Sequence, residues 1–85
     1  MAIEQEKIKE KVIAIIAEQL GQQPEAINGG SDIANDLGAD SLDLAELMIA
    51  FEENFDINID EEKLSEITTV DDVVKQICAV LEENE

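Results

Sequence analysis

The sequence predicts an all-α domain, a small bundle of three main helices plus one short helix. Three observations carry that expectation. Apolar residues recur three and four apart in three separate segments, no stretch shows the strict alternation of a strand, and glycine and proline fall between the segments rather than inside them. No internal repeat or low-complexity run interrupts the pattern, and residues 1–85 read as a single domain. A chain this short buries only a modest core.

The first helix is expected over residues 3–20. Ile8, Val12, Ile15, Ile16 and Leu20 share one face, and Gly21 ends it. Residues 22–40 read as a long loop punctuated by Pro24, Asn28-Gly29-Gly30 and Gly38. A loop of that length needs anchors, and Ile27, Ile33 and Leu37 are the candidates. The second helix is expected over 41–55, with Leu44, Leu47, Met48, Phe51 and Phe55 facing the core. Leu42, Ala45 and Ile49 are left partly off that face. Residues 56–69 form a second connector with a short helix at Glu61–Ser65. Thr68 or Thr69 caps the last helix, about 70–82, whose apolar face is Val70, Val73, Val74, Ile77, Val80 and Leu81. The closing Glu82-Glu83-Asn84-Glu85 opposes the helix dipole and should fray.

Charge narrows the function. Twenty-two acids face five lysines, with no arginine and no histidine, for a net charge of −17. Between Asp36 and Glu66 lie eleven acids and one lysine. Such a surface repels nucleic acid and anionic membranes. It suits basic protein partners and fast, salt-sensitive association. Charge alone would suggest disorder, but 45% hydrophobic residues in helical periods indicate a folded chain. No apolar run approaches the roughly 20 residues that span a bilayer. The first residues lack the basic and apolar regions of a signal peptide. A cytoplasmic monomer is the expectation, with an organelle after removal of a transit peptide left open.

The residue inventory argues against catalysis. Without histidine, Ser–His and Cys–His arrangements are impossible, and a general base would need a carboxylate or lysine of strongly shifted pKa. The one cysteine, Cys78, lies on the apolar face of the last helix and reads as a small buried hydrophobe. Asp56-Ile57-Asn58-Ile59-Asp60 matches the first positions of a calcium loop. Glu61 then stands where glycine is needed and Ile67 where glutamate is needed, so no metal site is assigned. Loose binding of divalent cations to the clustered carboxylates would be nonspecific screening rather than a function.

There are three serines. Ser31, after two glycines, reads as a turn residue, and Ser65 as the end of the short helix. Ser41 differs. Asp40 can cap the second helix with Asp43 as its capping-box partner, which frees the Ser41 hydroxyl to point outward at the first turn. A helix N-terminus favours a phosphate. An exposed serine there with no catalytic neighbour suggests one that is modified rather than one that reacts.

Asp36-Leu37-Gly38-Ala39-Asp40-Ser41-Leu42-Asp43, followed by Leu44-Ala45-Glu46-Leu47, resembles the prosthetic-group site of acyl carrier proteins of the dissociated (type II) fatty acid synthesis system. The resemblance extends to Glu18-Gln19-Leu20-Gly21, Phe51-Glu52-Glu53-Asn54-Phe55 and Ile67-Thr68-Thr69-Val70. It implies an acyl-carrier-like fold. It also implies that Ser41 carries 4′-phosphopantetheine, donated by coenzyme A through a separate transferase, making the chain a phosphoprotein. Acyl groups would ride on that arm as thioesters for fatty acid synthesis, with no catalysis by the chain itself.

The second helix would then meet basic surfaces of fatty acid synthesis enzymes and of the phosphopantetheinyl transferase. Asp40, Asp43, Glu46, Glu52, Glu53 and Asp56 would supply charge, and Leu42, Ala45 and Ile49 a small apolar contact. Family members often have valine where this chain has Ala45, which offers less apolar area. A core without tryptophan or tyrosine suggests a deformable interior that shelters acyl chains, with Leu47, Phe51, Ile59, Leu64 and Ile67 as lining candidates. Two rivals stay open. One is a carrier for polyketide or aminoacyl transfer, separable by loading with malonyl transferase or amino-acid ligases. The other is an unmodified acidic adaptor or divalent-cation-binding helical protein.

Overall fold

The computed structural model describes residues 4–83; the side chains of residues 61, 64, 65 and 83 lie outside the described part. Helices α1 (Gln5–Leu20), α2 (Ser41–Phe55) and α3 (Val70–Glu83) make the bundle, with 3-10 turns at Pro24–Ala26 and Glu61–Glu66. Expected Ile3 and the tail at 84–85 fall outside the described residues. Within them, α1 starts at Gln5 because Glu4 already has extended backbone. The short helix proves to be 3-10 and runs one residue further than expected. Among the described residues no strand forms, only an isolated bridge between Asp32 and Thr69.

α1 packs against both other helices. Its Ile8, Val12, Ile15 and Ile16 meet Leu47, Met48 and Phe51 of α2 and Val70, Val73, Val74, Ile77 and Cys78 of α3 in one cluster. The connectors supply Ile27, Ile33, Leu37, Ala39, Ile57 and Ile67 to the same core. The expected anchors of the long loop are therefore buried. Burial also pushes the Cys78 thiol above its ordinary range, with Glu82 adding to the shift, so the group stays protonated. Leu44, Phe55, Val80 and Leu81 are only half-buried, at the margin of the cluster.

The long loop is held by the start of α3. A helix leaves its first N–H groups without internal acceptors, and here each one is satisfied. Val70 donates to Ser31 O (3.2 Å), Asp71 to Gly29 O (3.0 Å) and Asp72 to Thr69 Oγ1 (3.3 Å). In return Asp72 Oδ2 accepts the N–H groups of Thr68 and Thr69, both at 3.0 Å. Thr69 thus caps α3 in a reciprocal box with Asp72. Ile33 N–H reaches Thr68 O at 2.9 Å, which lays residues 29–33 along 68–71. Gly29 lets the chain pass close here, since a side chain would push aside the Asp71 carboxylate and the Lys9 ammonium. Buried Ser31 accepts Asn28 N–H on its hydroxyl at 3.0 Å.

Asp72→Ala should cost about 1 kcal/mol at neutral pH through loss of the box. The Thr69 and Thr68 N–H groups hold the Asp72 carboxyl below its ordinary 3.8. A depressed folded value stabilises above the unfolded pKa and is lost as pH falls through the folded one. Urea titrations should therefore show the gap between variant and wild type shrinking as pH drops below 3.8, the ordinary value. A gap unchanged by acid would remove the carboxylate from the explanation.

Candidate functional site at the start and outer ridge of the second helix

The approach to α2 is built by a compact turn. Asp32 Oδ1 accepts Ala34 N–H (3.0 Å) and Asn35 N–H (2.9 Å), and Asp36 Oδ2 accepts Asp32 N–H (2.8 Å). The bonds from Asn35, through its backbone N–H first and then its side-chain amide, and from Ala34 N–H lower the Asp32 pKa. Ala39 N–H then returns to Ile33 O at 3.1 Å, which seats Ala39 in the core. Gly38 turns the chain with φ 76°, a left-handed value that costs glycine little.

Asp40 is the N-cap of α2. Its Oδ1 accepts Asp43 N–H at 2.9 Å, and Asp43 Oδ2 accepts Asp40 N–H at 3.1 Å. This is the capping box expected from sequence. It leaves Ser41 as the first helical residue with no capping duty. Ser41 is exposed, and none of the hydrogen bonds of the described residues uses its hydroxyl. The N–H groups of Ser41 and Leu42 likewise have no acceptor among the described residues. Two free N–H groups at the positive end of the helix dipole flank that hydroxyl, an arrangement that suits a phosphate. The carboxylates of Asp40 and Asp43 oppose it, but each has one oxygen engaged by the box.

Leu47, Met48 and Phe51 set the buried side of α2. At 3.6 residues per turn, Leu42, Glu46, Ile49 and Glu53 fall on the opposite side. Leu42 and Ile49 are 67% and 54% exposed, unusual for large hydrophobics and two turns apart. Glu46 and Glu53 flank Ile49 and, with Ala50 and Gln19 of α1, line a shallow groove. Asp40 and Asp56 are exposed, while Asp43 and Ala45 are half-buried. Asp56 follows the helix in left-handed conformation, φ 54°.

Glu52 differs from the other acids of the set. It is half-buried, and its Oε2 accepts Ile59 N–H at 2.7 Å. Lys11 was not singled out by sequence reasoning. Its Nζ donates to Asn54 O at 3.2 Å and lies 5.0 Å from the centre of the Phe55 ring. α2 has no basic residue in its own last turn, so this lysine from α1 supplies the cation its C-terminus lacks. Such a partner 43 residues away leaves no local signal in the sequence.

Of the five lining candidates, Leu47 and Phe51 are fully buried and Ile67 is 8% exposed. Half-buried Ile59 packs against the same cluster, and the Leu64 side chain lies outside the described residues. Beside Ile59 is an open cleft of about 310 Å³. Asn58, Asp60 and Lys63 line it on the connector side, and Gln76, Ala79 and Val80 on α3. Among the described residues no three His, Cys, Asp or Glu side chains are grouped to hold a metal ion.

Known proteins match this arrangement. The family model of the phosphopantetheine attachment site matches residues 10–77. A protein of Prochlorococcus marinus named acyl carrier protein is 49% identical over 75 residues, covering 88% of this chain and 94% of its own. One of the same name from Akkermansia muciniphila is 47% identical over 70 residues, covering 82% and 88%. Among solved structures, an acyl carrier protein from Thermotoga maritima superposes with a TM-score of 0.83 at 30% identity, over 95% of this chain and 94% of that one. A putative acyl carrier protein from Mycobacterium tuberculosis gives 0.80 at 32% identity, over 85% and 96%.

Proposed function

We propose, since the chain belongs to the acyl carrier proteins, that Ser41 is the residue on which it bears its 4′-phosphopantetheine. The observation that carries the assignment is the exposed, unbonded Ser41 hydroxyl beside two free N–H groups at the start of α2. The residues fit the group, because the capping box leaves that hydroxyl available to a transferase. When attached, the group supplies a thiol that holds acyl chains as thioesters for fatty acid synthesis. The protein is a carrier, not an enzyme. Its own residues position the serine, present a surface and shelter cargo. Among the described residues no helix is long and apolar enough to cross a membrane.

The outer ridge of α2 is the docking face in this reading. Leu42 and Ile49 offer the apolar contact, and Asp40, Asp43, Glu46, Glu53 and Asp56 the charge for basic enzymes. The sheltered chain enters among Leu47, Phe51, Ile59 and Ile67. The whole of residues 1–85 acts as one monomeric carrier domain in the cytoplasm. Intact mass after incubation with coenzyme A and a phosphopantetheinyl transferase tests the assignment, with one arm added per chain. Subsequent loading with malonyl transferase tests the client system. A chain that accepts amino-acid ligases and not malonyl transferase belongs to the aminoacyl alternative.

Charge reversal tests the ridge. Glu46→Lys with Glu53→Lys should raise the transferase KM about tenfold at low salt, through lost steering and contact. The penalty should shrink toward 1 M salt, where the Debye length is about 3 Å. An unchanged KM at low salt would move the docking face elsewhere.

A further inference from the structure

Three N–H groups of the chain that follows α2 converge on one residue. Asp56 and Ile57 donate to Glu52 O, the latter at 3.1 Å, and Ile59 donates to Glu52 Oε2 at 2.7 Å. Asp56 must adopt left-handed backbone to bring this about, φ 54° and ψ 53°. Such a conformation costs a non-glycine residue roughly 1 kcal/mol or more and persists only where neighbouring bonds hold it. Glu52 is the member of the acidic set whose carboxylate reaches across to the connector. Ile59, the residue it holds, both packs against the core cluster and lines the cleft against Gln76 and Val80.

We propose that Glu52 is a brace rather than a docking charge: its carboxylate pins residues 56–60 against the end of α2 and so gates the passage of an acyl chain past Ile59. The gate rests on the reading that a chain on Ser41 shelters in this core; the brace does not. Glu52 acts through the connector and is a positioning residue. Its half-buried side chain spends one carboxylate oxygen inward, whereas Glu46 and Glu53 stand exposed on the ridge. The chemistry separates acceptor from charge. Glutamine keeps an oxygen that accepts Ile59 N–H and loses the charge; alanine loses both.

Amide exchange on the unmodified chain reads the brace. Glu52→Ala should speed exchange at Ile59 about tenfold, and Glu52→Gln less than about threefold, since one hydrogen bond is at stake. Exchange at Val12 and Ile16 should stay as in wild type, which excludes general unfolding. With an octanoyl thioester loaded, Glu52→Ala should speed hydroxylamine cleavage by a ratio similar to that at Ile59, and Glu52→Gln should restore the wild-type rate. The transferase KM of Glu52→Gln should match wild type, while Glu53→Gln raises it. Unchanged Ile59 exchange in Glu52→Ala overturns the brace. Faster exchange with unchanged cleavage overturns the gate. A KM raised by Glu52→Gln as much as by Glu53→Gln makes Glu52 a docking charge after all. If no arm can be loaded, the Ser41 reading and the gate fail together, and amide exchange still decides the brace.

Discussion

Ser41→Ala should abolish the mass increment that coenzyme A and a phosphopantetheinyl transferase give the wild-type chain, and should leave the fold intact. The effect should be all or none because the oxygen proposed to form the phosphodiester is gone, and neither remaining serine is placed to replace it. Ser31 is buried with its hydroxyl bonded to Asn28 N–H, and Ser65 belongs to the 3-10 turn of the second connector and not to a helix start. Stability should change by less than about 0.5 kcal/mol, since Ser41 caps nothing and alanine is a good residue at the first helical position. Asp40→Ala is the instructive contrast. It removes the N-cap, costs about 1 kcal/mol, and should leave the modified oxygen in place. Circular dichroism and urea midpoints check the fold, and intact mass checks the modification. A Ser41→Ala chain that is still labelled would overturn the attachment site. One that has lost its helices would show that the serine was structural.

The start of α2 was legible in sequence because everything that builds it is local. Gly38 turns the chain, Asp40 and Asp43 sit three apart, and the apolar period begins at Leu44. The three helices were legible for the same reason, since a 3.6-residue period is a property of one segment. The hydrogen bonds that hold the connectors in place were not. Nothing near Thr69 announces that Gly29 and Ser31 will accept the N–H groups of the following turn. Glu52 read as one more exposed acid because the bond that distinguishes it goes to a backbone N–H, which every residue but proline has. Lys11 was hidden in the same way, as a lysine of α1 whose acceptor is the main chain of α2. The short helix was placed to within one residue, but its type was not legible: six residues are too few for a period to separate 3-10 from α geometry.

Phe51→Ala should produce the largest loss of stability of any single substitution considered, about 3–5 kcal/mol, from lost transfer energy and the cavity left behind. Phe51 is fully buried and is the largest side chain that is so. A domain of this length has roughly 4–13 kcal/mol in total, and a net charge of −17 works against compaction. The variant should therefore melt about 12 °C or more below wild type, and Phe51→Leu should lose much less. The same vacancy tests where a carried chain goes. Leu47 and Phe51 leave no exposed surface in the free protein, so a chain entering there must displace packed side chains. In Phe51→Ala it would meet empty volume, where each methylene buried contributes about 0.8 kcal/mol. Octanoyl loading on Ser41 should then raise the melting temperature of the variant by more than it raises that of wild type. A chain lying instead in the open cleft beside Asn58, Lys63 and Gln76 touches none of that volume. It would raise both melting temperatures equally. Equal increments would thus place the cargo on the α3 side of Ile59 and remove Leu47 and Phe51 from its path.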